Sequence, residues 1–304
     1  MPRMKMLVFG ASGRTGQVLC RAATAAGWEV AAPTHAECAL EDSSAVAAAV
    51  LAAGAAAVVN CAAISGLEAC AADPLAAHVV NAVAPATMAL ACRHTGARFV
   101  HLSTDYVLDG RKPALRTESY KCKPVSVYGE SKREGELQVA EAWAEALVLR
   151  VSWVCGNPAR PSFVESVLAK ALRGEPLAAI GDKYSMPTDA ADIARVILQL
   201  LPTGASGVYH VCSGGEPQSW YSCAAMALQY AYNAGALPVI PELRKTLLKD
   251  ATFFAEPRPP HTAMCNAKLL SAGISMPTAQ ETIRTVTQRY LLSTGGMCKA
   301  AMYV

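Results

Sequence analysis

Charged residues are scarce in this sequence. Asp, Glu, Lys and Arg make up only 17% of its 304 residues, whereas 53% are hydrophobic. The net charge is +3, and Lys and Arg form no cluster or stripe. The apolar composition excludes a disordered chain, and the weak, dispersed positive charge excludes nucleic acid as a partner. The length corresponds to about two domains, or one large one, at roughly 150 residues per domain.

Paired cysteines are absent as well. Eleven cysteines are scattered along the chain, and no two of them have the CxxC spacing of a zinc site. We therefore predict no metal site. The N-terminus leads directly into an apolar run at residues 6–9, which leaves no room for a signal peptide. We expect a cytoplasmic protein whose thiols are reduced.

One segment without charge is long enough for a transmembrane helix. Residues 43–67 contain no Asp, Glu, Lys or Arg, but they are mostly Ala, with Gly54 in the middle and Asn60 in an apolar run. A helix over 43–53, a turn at Gly54 and a strand over 57–62 explain this pattern better. We therefore predict no membrane association.

Short apolar runs alternate with helical periodicity through the first half of the chain. This alternation predicts an α/β fold with a doubly wound parallel sheet. We place a dinucleotide-binding domain at 1–152, a smaller region at 153–292 that mainly binds substrate, and a tail at 293–304. We expect late sheet elements of the second region to be interleaved with the first. The strands are predicted at 6–9, 29–32, 58–61, 98–102, 146–151 and 207–211, and the helices at 15–26, 43–53, 85–95 and 132–144.

A glycine-rich loop follows the first predicted strand. Residues 10–16 read GASGRTG, a GxxGxxG pattern that also opens the first predicted helix. In this context the glycines permit a tight turn and bring the backbone close to a pyrophosphate at the helix N-terminus. The acid expected about 20 residues later to bind ribose is late, at Glu37. Arg14 could pair with a 2′-phosphate, which favours NADPH over NADH without deciding between them.

A second motif is the YxxxK pattern of Tyr128 and Lys132. Four residues apart, the phenol and the ammonium lie on the same face of a helix. A neighbouring positive charge favours the phenolate, which allows proton exchange nearer neutral pH. Ser103 and Thr104 end an earlier predicted strand, where ligands bind in open α/β sheets.

These motifs, in this order and spacing, resemble the extended short-chain dehydrogenase/reductase superfamily. Residues 103–110, STDYVLDG, are similar to the STDYVFDG signature of the dTDP-4-dehydrorhamnose reductase family. Residues 124–136, PVSVYGESKREGE, resemble its PLNVYGxTKLxGE, and residues 150–154, RVSWV, resemble its RTSWV. The resemblance extends to about residue 290. It implies a Rossmann fold, NADPH or NADH as cofactor, and reduction of the 4-keto group of a nucleotide-linked 6-deoxyhexulose to form dTDP-L-rhamnose.

The resemblance also implies roles for individual residues. It makes Thr104, Tyr128 and Lys132 the catalytic set, and it places Thr104, Asp105 and Trp153 against the nucleotide-sugar. The residues that it implies for the cofactor are Gly10, Ser12, Gly13, Arg14, Thr15, Gly16, Ala62, Ala63, Ser103, Tyr128 and Lys132.

Three departures from the family pattern bear on these implications. Ala39 stands where the family has an acid that contacts adenine, and Cys155 replaces a Tyr. The segment 66–71 keeps only one of two acids. These differences leave open a change or loss of activity.

Two further hypotheses remain open. The regulatory β subunit of methionine adenosyltransferase resembles the same family, and it binds a dinucleotide while serving a protein partner. A nucleotide-sugar reductase or epimerase with another sugar specificity is the other. Retention of Thr104 and Trp153 beside the YxxxK pair favours the reductase. Analogy with the family implies a homodimer.

Overall fold

The computed structural model describes residues 4–295, in which strands and helices alternate through the first half. In chain order the strands are β1 (Lys5–Phe9), β2 (Glu29–Ala31), β3 (Ala57–Asn60), β4 (Arg98–Thr104), β5 (Leu147–Val151), β6 (Val154–Cys155), β7 (Leu177–Ile180), β8 (Tyr184–Ser185), β9 (Thr188–Asp189), β10 (Gly207–Val211), β11 (Gln218–Ser219) and β12 (Leu243–Thr246). The α-helices are α1 (Arg14–Ala25), α2 (Ser43–Ala52), α3 (Leu67–Ala72), α4 (Pro74–His78), α5 (Ala84–Thr95), α6 (Val127–Ala142), α7 (Phe163–Leu172), α8 (Ala190–Leu200), α9 (Trp220–Asn233), α10 (Ala267–Ser271) and α11 (Ala279–Ser293).

Six strands form a central sheet in the order β10-β5-β4-β3-β1-β2. Every neighbouring pair in it is parallel. The order reverses at β1, because the chain passes from β1 to β2 on one side and then crosses to β3 on the other. The doubly wound α/β sheet predicted from the sequence is thereby confirmed. Ligands of such sheets bind beyond the carboxyl ends of the strands at this reversal.

Helices cover both faces of the sheet. On one face α1 packs against α8, over a core that includes Val8 and Leu102. On the other face α5 packs against α2 and α6, over a core that includes Phe9 and Phe99. Because successive strand residues point to opposite faces, both faces are apolar, and the four inner strands β5, β4, β3 and β1 are buried along most of their length, whereas the edge strands β2 and β10 are less buried.

Residues after β5 build a smaller region beside the sheet. Its helices α7, α9 and α11 pack together around Leu168, Leu228 and Ile283. Two elements from this part of the chain belong to the central layers instead. Strand β10 pairs with β5, as predicted for residues 207–211, and α8 covers α1.

The observed elements differ from the predicted ones at several boundaries. The helix predicted at 132–144 begins at Val127, because the Ser126 hydroxyl caps it by accepting a hydrogen bond from the Gly129 N–H at 3.2 Å. The segment 43–67 contains α2 and β3, which confirms the helix and strand predicted there. Helices α3 and α4 and the π-helical turn Val79–Val83 were not predicted.

One helical stretch within the described residues, Pro74–Thr95, is long and apolar enough to cross a membrane by length and composition. Of its most apolar window, 56% is buried inside the protein. The tail predicted at 293–304 lies almost entirely outside the described residues.

Candidate active site

The glycine loop lies between β1 and α1 and is held close to the end of β3. Gly10 has φ of +75°, and a Cβ there would lie 2.5 Å from the backbone N of Ala62. A Cβ on Gly16 would lie 2.2 Å from the Gly10 carbonyl oxygen, so α1 can begin beneath the loop only with glycine at this position. The N-cap of α1 is Gly13, which offers no side-chain acceptor. The N-terminus of α1 is therefore open to an anion.

A cavity of about 350 Å³ opens beside this loop. It is lined by Gly10, Ser12 and Gly13, by Ala62 and Ala63, and by the segment that follows β2. Among the described residues no Asp or Glu lines this cavity, and Ala39, where the resemblance implies an acid against adenine, lies between two lining residues, Cys38 and Leu40.

The two charged residues considered for the ribose side have other partners. Glu37 accepts hydrogen bonds from the N–H and hydroxyl of Thr34 at 2.8 and 2.9 Å, and these bonds lower its pKa. Arg14 donates to the carbonyl oxygens of Arg160 and Pro161 at 2.9 and 3.0 Å. Its guanidinium thus joins the glycine loop to the second region, and this geometry does not select NADPH over NADH.

A second cavity, of about 460 Å³, forms a cleft between the carboxyl edge of the sheet and the second region. It meets the first cavity along Gly13, Ala62 and Ala63, which line both. The two together offer an extended path for a dinucleotide. Gly16 lines neither cavity, because it packs beneath the loop. The predicted site residues along the cleft are Gly13, Arg14, Thr15, Ala62, Ala63, Ser103, Thr104, Asp105, Tyr128, Lys132 and Trp153.

Tyr128 and Thr104 face each other across the cleft floor. Burial raises the pKa of Tyr128 to about 12, and a hydrogen bond with the Thr104 side chain opposes that rise. The Thr104 hydroxyl also accepts from the Tyr106 N–H at 3.2 Å. The Tyr106 ring meets the Tyr128 ring edge-on, with centroids 5.8 Å apart. The phenol is therefore held protonated and oriented by its neighbours.

Lys132 lies one helical turn from Tyr128 and is 2% exposed. Its Nζ donates to the Leu102 carbonyl oxygen at 2.6 Å and lies 3.1 Å from Nε2 of His101. Burial lowers the pKa of Lys132 to about 8, against the opposing charge of Glu136. Proton exchange by this amine therefore occurs close to physiological pH.

Asp105 lies at the end of β4 with its carboxylate turned into the protein. One oxygen accepts from the hydroxyls of Ser152 at 2.9 Å and Thr262 at 2.6 Å, and the other from Thr104 at 3.3 Å. Burial raises the pKa of Asp105, while the charge of Lys183 and these hydroxyls oppose the rise. The Asp105 carboxylate thus ties the end of β4 to the second region.

Trp153 adopts a strained backbone conformation at the mouth of the cleft. Its φ of +40° makes it the one non-glycine residue with positive φ in the stretch that the structure covers. The indole stacks on Trp220 with centroids 5.7 Å apart, and it lies 5.7 Å from the ring of Phe163. This aromatic cluster holds the Trp153 ring against the cleft.

Ser103 is held in place by the buried ion pair of Glu136 and Arg150. Its hydroxyl donates to Glu136 at 2.6 Å, and Arg150 donates to both oxygens of the same carboxylate at 2.7 Å. Glu136 lies on α6 and Arg150 on β5. The ion pair therefore sets the position of the helix that carries Tyr128 and Lys132.

Asn81 in the π-helical turn holds the loop after β3 to α6. Its amide donates to the Ile64 carbonyl at 2.9 Å and to the Ser131 hydroxyl at 3.0 Å. Its oxygen accepts from the Ile64 N–H at 2.9 Å. Helical turns of this kind are frequent at functional sites.

Of the departures from the family pattern, Cys155 lies away from the cleft and the segment 66–71 lies beside it. Cys155 is 1% exposed and packs in the core of the second region, so the replaced Tyr leaves no gap in the cleft lining. In the altered segment 66–71, Leu67 lines the cleft and Glu68 pairs with Arg258 at 2.9 Å.

Sequence reasoning missed four residues at this site, namely His101, Glu136, Phe163 and Trp220. The motif around Tyr128 includes Glu136, so its position was visible but its partner Arg150 was not. The others become neighbours only in the folded chain. Within residues 4–295, no three His, Cys, Asp or Glu side chains gather as a metal site would require.

The chain is similar to known proteins along most of its length. The family model described as the RmlD substrate binding domain matches residues 4–292. A dTDP-4-dehydrorhamnose reductase of Burkholderia thailandensis is 33% identical over 285 residues, covering 90% of this chain and 95% of the relative. The spore coat polysaccharide biosynthesis protein SpsK of Bacillus subtilis is 30% identical over 284 residues, covering 93% of this chain and 97% of the relative.

Solved structures share the fold. A Bacillus anthracis dTDP-4-dehydrorhamnose reductase in complex with NADP superposes with a TM-score of 0.87 at 24% identity, covering 96% of this chain and 100% of the other. A Clostridium acetobutylicum dTDP-4-dehydrorhamnose reductase gives 0.87 at 25% identity, covering 95% and 100%. The chain belongs to the dTDP-4-dehydrorhamnose reductase family and has the fold of the extended short-chain dehydrogenases/reductases.

Proposed function

We propose that this protein is an NAD(P)H-dependent reductase of the 4-keto group of dTDP-4-dehydrorhamnose, with dTDP-L-rhamnose as product. The observation that carries the proposal is the cleft that places Thr104, Tyr128 and Lys132 beside the glycine-loop cavity. A nucleotide-sugar can enter from the side of the second region, while a dinucleotide lies along the sheet edge. The relatives named dTDP-4-dehydrorhamnose reductase align with nearly the whole chain.

The chain's own residues fit a dinucleotide. The loop glycines and Ser12 would hold the pyrophosphate at the open N-terminus of α1. Ala62, Ala63 and Ser103 line the path toward the cleft, with Arg14 and Thr15 on its other side. When bound, the reduced nicotinamide supplies the hydride. No Asp or Glu in the part of the chain that the structure describes lines the cavity beside the glycine loop, which is compatible with either cofactor.

Tyr128 acts as the general acid in this proposal. Its high pKa keeps the phenol protonated until the carbonyl oxygen gains charge. The Lys132 ammonium then stabilises the phenolate that remains, and each unit by which it lowers the phenol pKa corresponds to about 1.4 kcal/mol. Thr104 holds the carbonyl oxygen by a hydrogen bond once its hydroxyl proton turns from Asp105, to which it donates at 3.3 Å in this structure.

Asp105 and Trp153 complete the nucleotide-sugar side of the cleft. Asp105 orients the Thr104 hydroxyl with the oxygen that does not bond Ser152 and Thr262, and with its other oxygen it joins β4 to Thr262. The Trp153 ring, supported by Trp220, offers a flat apolar surface to a sugar or base. We further propose a cytoplasmic homodimer in which 1–152 binds the cofactor and 153–292 mainly binds substrate.

Oxidation of NADPH by the purified protein, with dTDP-4-dehydro-6-deoxy-L-mannose as substrate, tests the proposal. We expect loss of reduced-nicotinamide absorbance in the wild type. The Tyr128→Phe variant should turn over roughly 10²–10⁴ times more slowly, because it lacks the proton donor. NADH is assayed in parallel to establish cofactor preference.

Two results would contradict the proposal in different ways. Near-normal turnover by Tyr128→Phe would remove the phenol from the chemistry. Tight cofactor binding without turnover of this or related hexuloses would favour the regulatory alternative. In that case a larger enzyme should co-purify with the protein.

A further inference from the structure

A buried chain of three polar side chains leads from β3 to the catalytic lysine. Asn60 and His101 are register partners on the adjacent strands β3 and β4, and both are fully buried. The Asn60 side-chain nitrogen lies 3.2 Å from His101 Nδ1, and His101 Nε2 lies 3.1 Å from Lys132 Nζ. Neither His101 nor Asn60 lines the cleft.

The backbone decides which way the Asn60 amide points. Its oxygen accepts a hydrogen bond from the Ala62 N–H at 2.9 Å. A flipped amide would set its NH₂ group against that N–H, so two donors would face each other. The NH₂ group of Asn60 therefore faces His101, and Nδ1 of His101 is the acceptor.

This orientation determines the tautomer of the imidazole. With Nδ1 accepting, the proton of a neutral His101 is on Nε2 and points at Lys132. A charged Lys132 ammonium 3.1 Å from Nε2 would then set one hydrogen-bond donor against another. A neutral amine there accepts from Nε2 and still donates to the Leu102 carbonyl oxygen.

We propose that Asn60 and His101 are positioning residues for the reductase site. Asn60 keeps the His101 proton on Nε2, so that Lys132 contacts the imidazole only as a neutral amine and turns toward Tyr128 when it is protonated. The protonation state of the lysine is thereby coupled to its position. The inference deepens the proposed function, because the charged lysine is delivered to the face where the phenolate forms.

Other titratable groups around the pair keep one charge state near neutral pH. Glu136 on α6 stays ionised, since its bonds with Arg150, Ser103 and Arg133 outweigh burial and lower its pKa. The Cys61 thiol, after β3, stays neutral because burial raises its pKa to about 12. Tyr128, on the same helix as Lys132, also stays neutral. Burial holds the pKa of His101 well below its usual value, so the imidazole stays neutral.

The tautomer can be measured directly in the wild-type protein without any substrate. Nitrogen-15 chemical shifts of labelled histidine distinguish a protonated Nε2 from a protonated Nδ1, and the spectrum of His101→Gln assigns the signal among six histidines. His210 is an internal control, because its Nδ1 faces the Cys265 carbonyl and its Nε2 faces Arg150. We expect Nε2–H at His101 and Nδ1–H at His210 between about pH 6 and 10. Nδ1–H at His101 would overturn the proposal.

The Asn60→Asp variant reverses the predicted tautomer with little change in shape. A carboxylate accepts from both the Ala62 N–H and Nδ1–H, which leaves Nε2 free to accept from a lysine ammonium. We expect His101 to switch to Nδ1–H, His210 to stay unchanged, and the pKa of Lys132 to rise by about one unit or more in a nitrogen-15 lysine titration. An unchanged lysine pKa in a folded variant would refute the coupling. If the variant does not fold, the tautomer of His101 measured in the wild-type protein tests the proposal by itself.

The pH–rate profile supplies the functional readout. Turnover should fall at alkaline pH as Lys132 loses its proton, and Asn60→Asp should move that limb upward by about one unit or more. A limb that does not move in the folded variant would contradict the coupling. Absence of turnover in the wild type would contradict the proposed reductase function. The tautomer measurement does not depend on turnover and would still test the arrangement of Asn60, His101 and Lys132.

Discussion

Glu136 is the most heavily paired carboxylate beside the cleft. It is 3% exposed and bonds with Arg150, Ser103 and Arg133, while Arg150 is 1% exposed. Arg150 also donates toward His210 at 3.3 Å. Loss of the carboxylate charge would leave the Arg150 guanidinium buried without its counterion, which is costly in a low-dielectric interior.

We therefore expect Glu136→Gln to reduce the free energy of unfolding by about 3–5 kcal/mol. Chemical denaturation followed by circular dichroism measures this change. Glu141→Gln, on an exposed position of the same helix, serves as the matched control and should change stability by less than about 0.5 kcal/mol. Equal stability of the two variants would show that the buried pair contributes little.

The same carboxylate predicts a dependence of stability on acid. Burial alone would raise the pKa of Glu136, but its bonds with Arg150 and its neighbours lower that pKa below the usual 4.5. A group whose pKa is lower in the folded state stabilises the fold above the unfolded pKa and loses that contribution as pH falls. Wild-type stability should decrease as pH falls below about 4.5, and Glu136→Gln should show a flatter profile. Parallel profiles for both proteins would contradict this assignment.

At the scale of elements, helix α6 is held unusually close to its neighbours. A Cβ on Gly129 would lie 2.3 Å from the Tyr106 carbonyl oxygen, and one on Gly135 would lie 2.2 Å from the Asn81 carbonyl oxygen. These two glycines let α6 approach both the end of β4 and the π-helical turn. The close approach brings Tyr128 and Lys132 over the cleft floor.

The sign of the change in stability caused by Gly135→Ala tests this packing. In an ordinary helix interior alanine is favoured over glycine by about 1 kcal/mol. Here we expect destabilisation of about 1–3 kcal/mol and a lower turnover, because backbone must shift to admit the methyl group. Thermal and denaturant unfolding measure the effect. In the control Gly214→Ala, the new Cβ meets nothing nearer than 3.8 Å, and a similar loss of stability there would refute the packing explanation.

At the scale of the whole molecule, the two halves of the chain share one sheet and one interface. Strand β10 supplies an edge of the sheet beside β5, and α8 covers α1. Asn157 donates to the Arg14 carbonyl at 3.0 Å and to the Gln17 side chain at 3.1 Å. The first half of the chain is therefore completed by residues from beyond position 152.

We predict that a fragment comprising residues 1–152 does not fold cooperatively by itself. Without β10 and α8 it exposes the edge of β5 and the apolar face of α1, including Leu19 and Ala23. Calorimetry and circular dichroism, with the full chain as control, measure the transition. A sharp transition of the fragment would show that the first 152 residues are an independent domain.

The sequence by itself determined the doubly wound sheet, the glycine loop and the place of the YxxxK pair. These features depend on local patterns, since apolar runs define buried strands, a tight turn needs glycine, and residues four apart share a helix face. The start of α6 was also marked locally, by Ser126 as its cap, although the predicted boundary missed it. Helices α3 and α4 are only six and five residues long, too short for a periodic pattern to be recognised.

Only the tertiary structure decided which polar side chains meet around those motifs. His101 and Lys132 are separated by 31 residues, Arg150 and His210 by 60, and Arg14 and Arg160 by 146. Strand order, register and helix packing bring such pairs together, and none of these is encoded in a short window of sequence. The same packing sets the burial that shifts the pKa of Lys132 and Tyr128, because the free energy of a buried charge depends on everything that surrounds it.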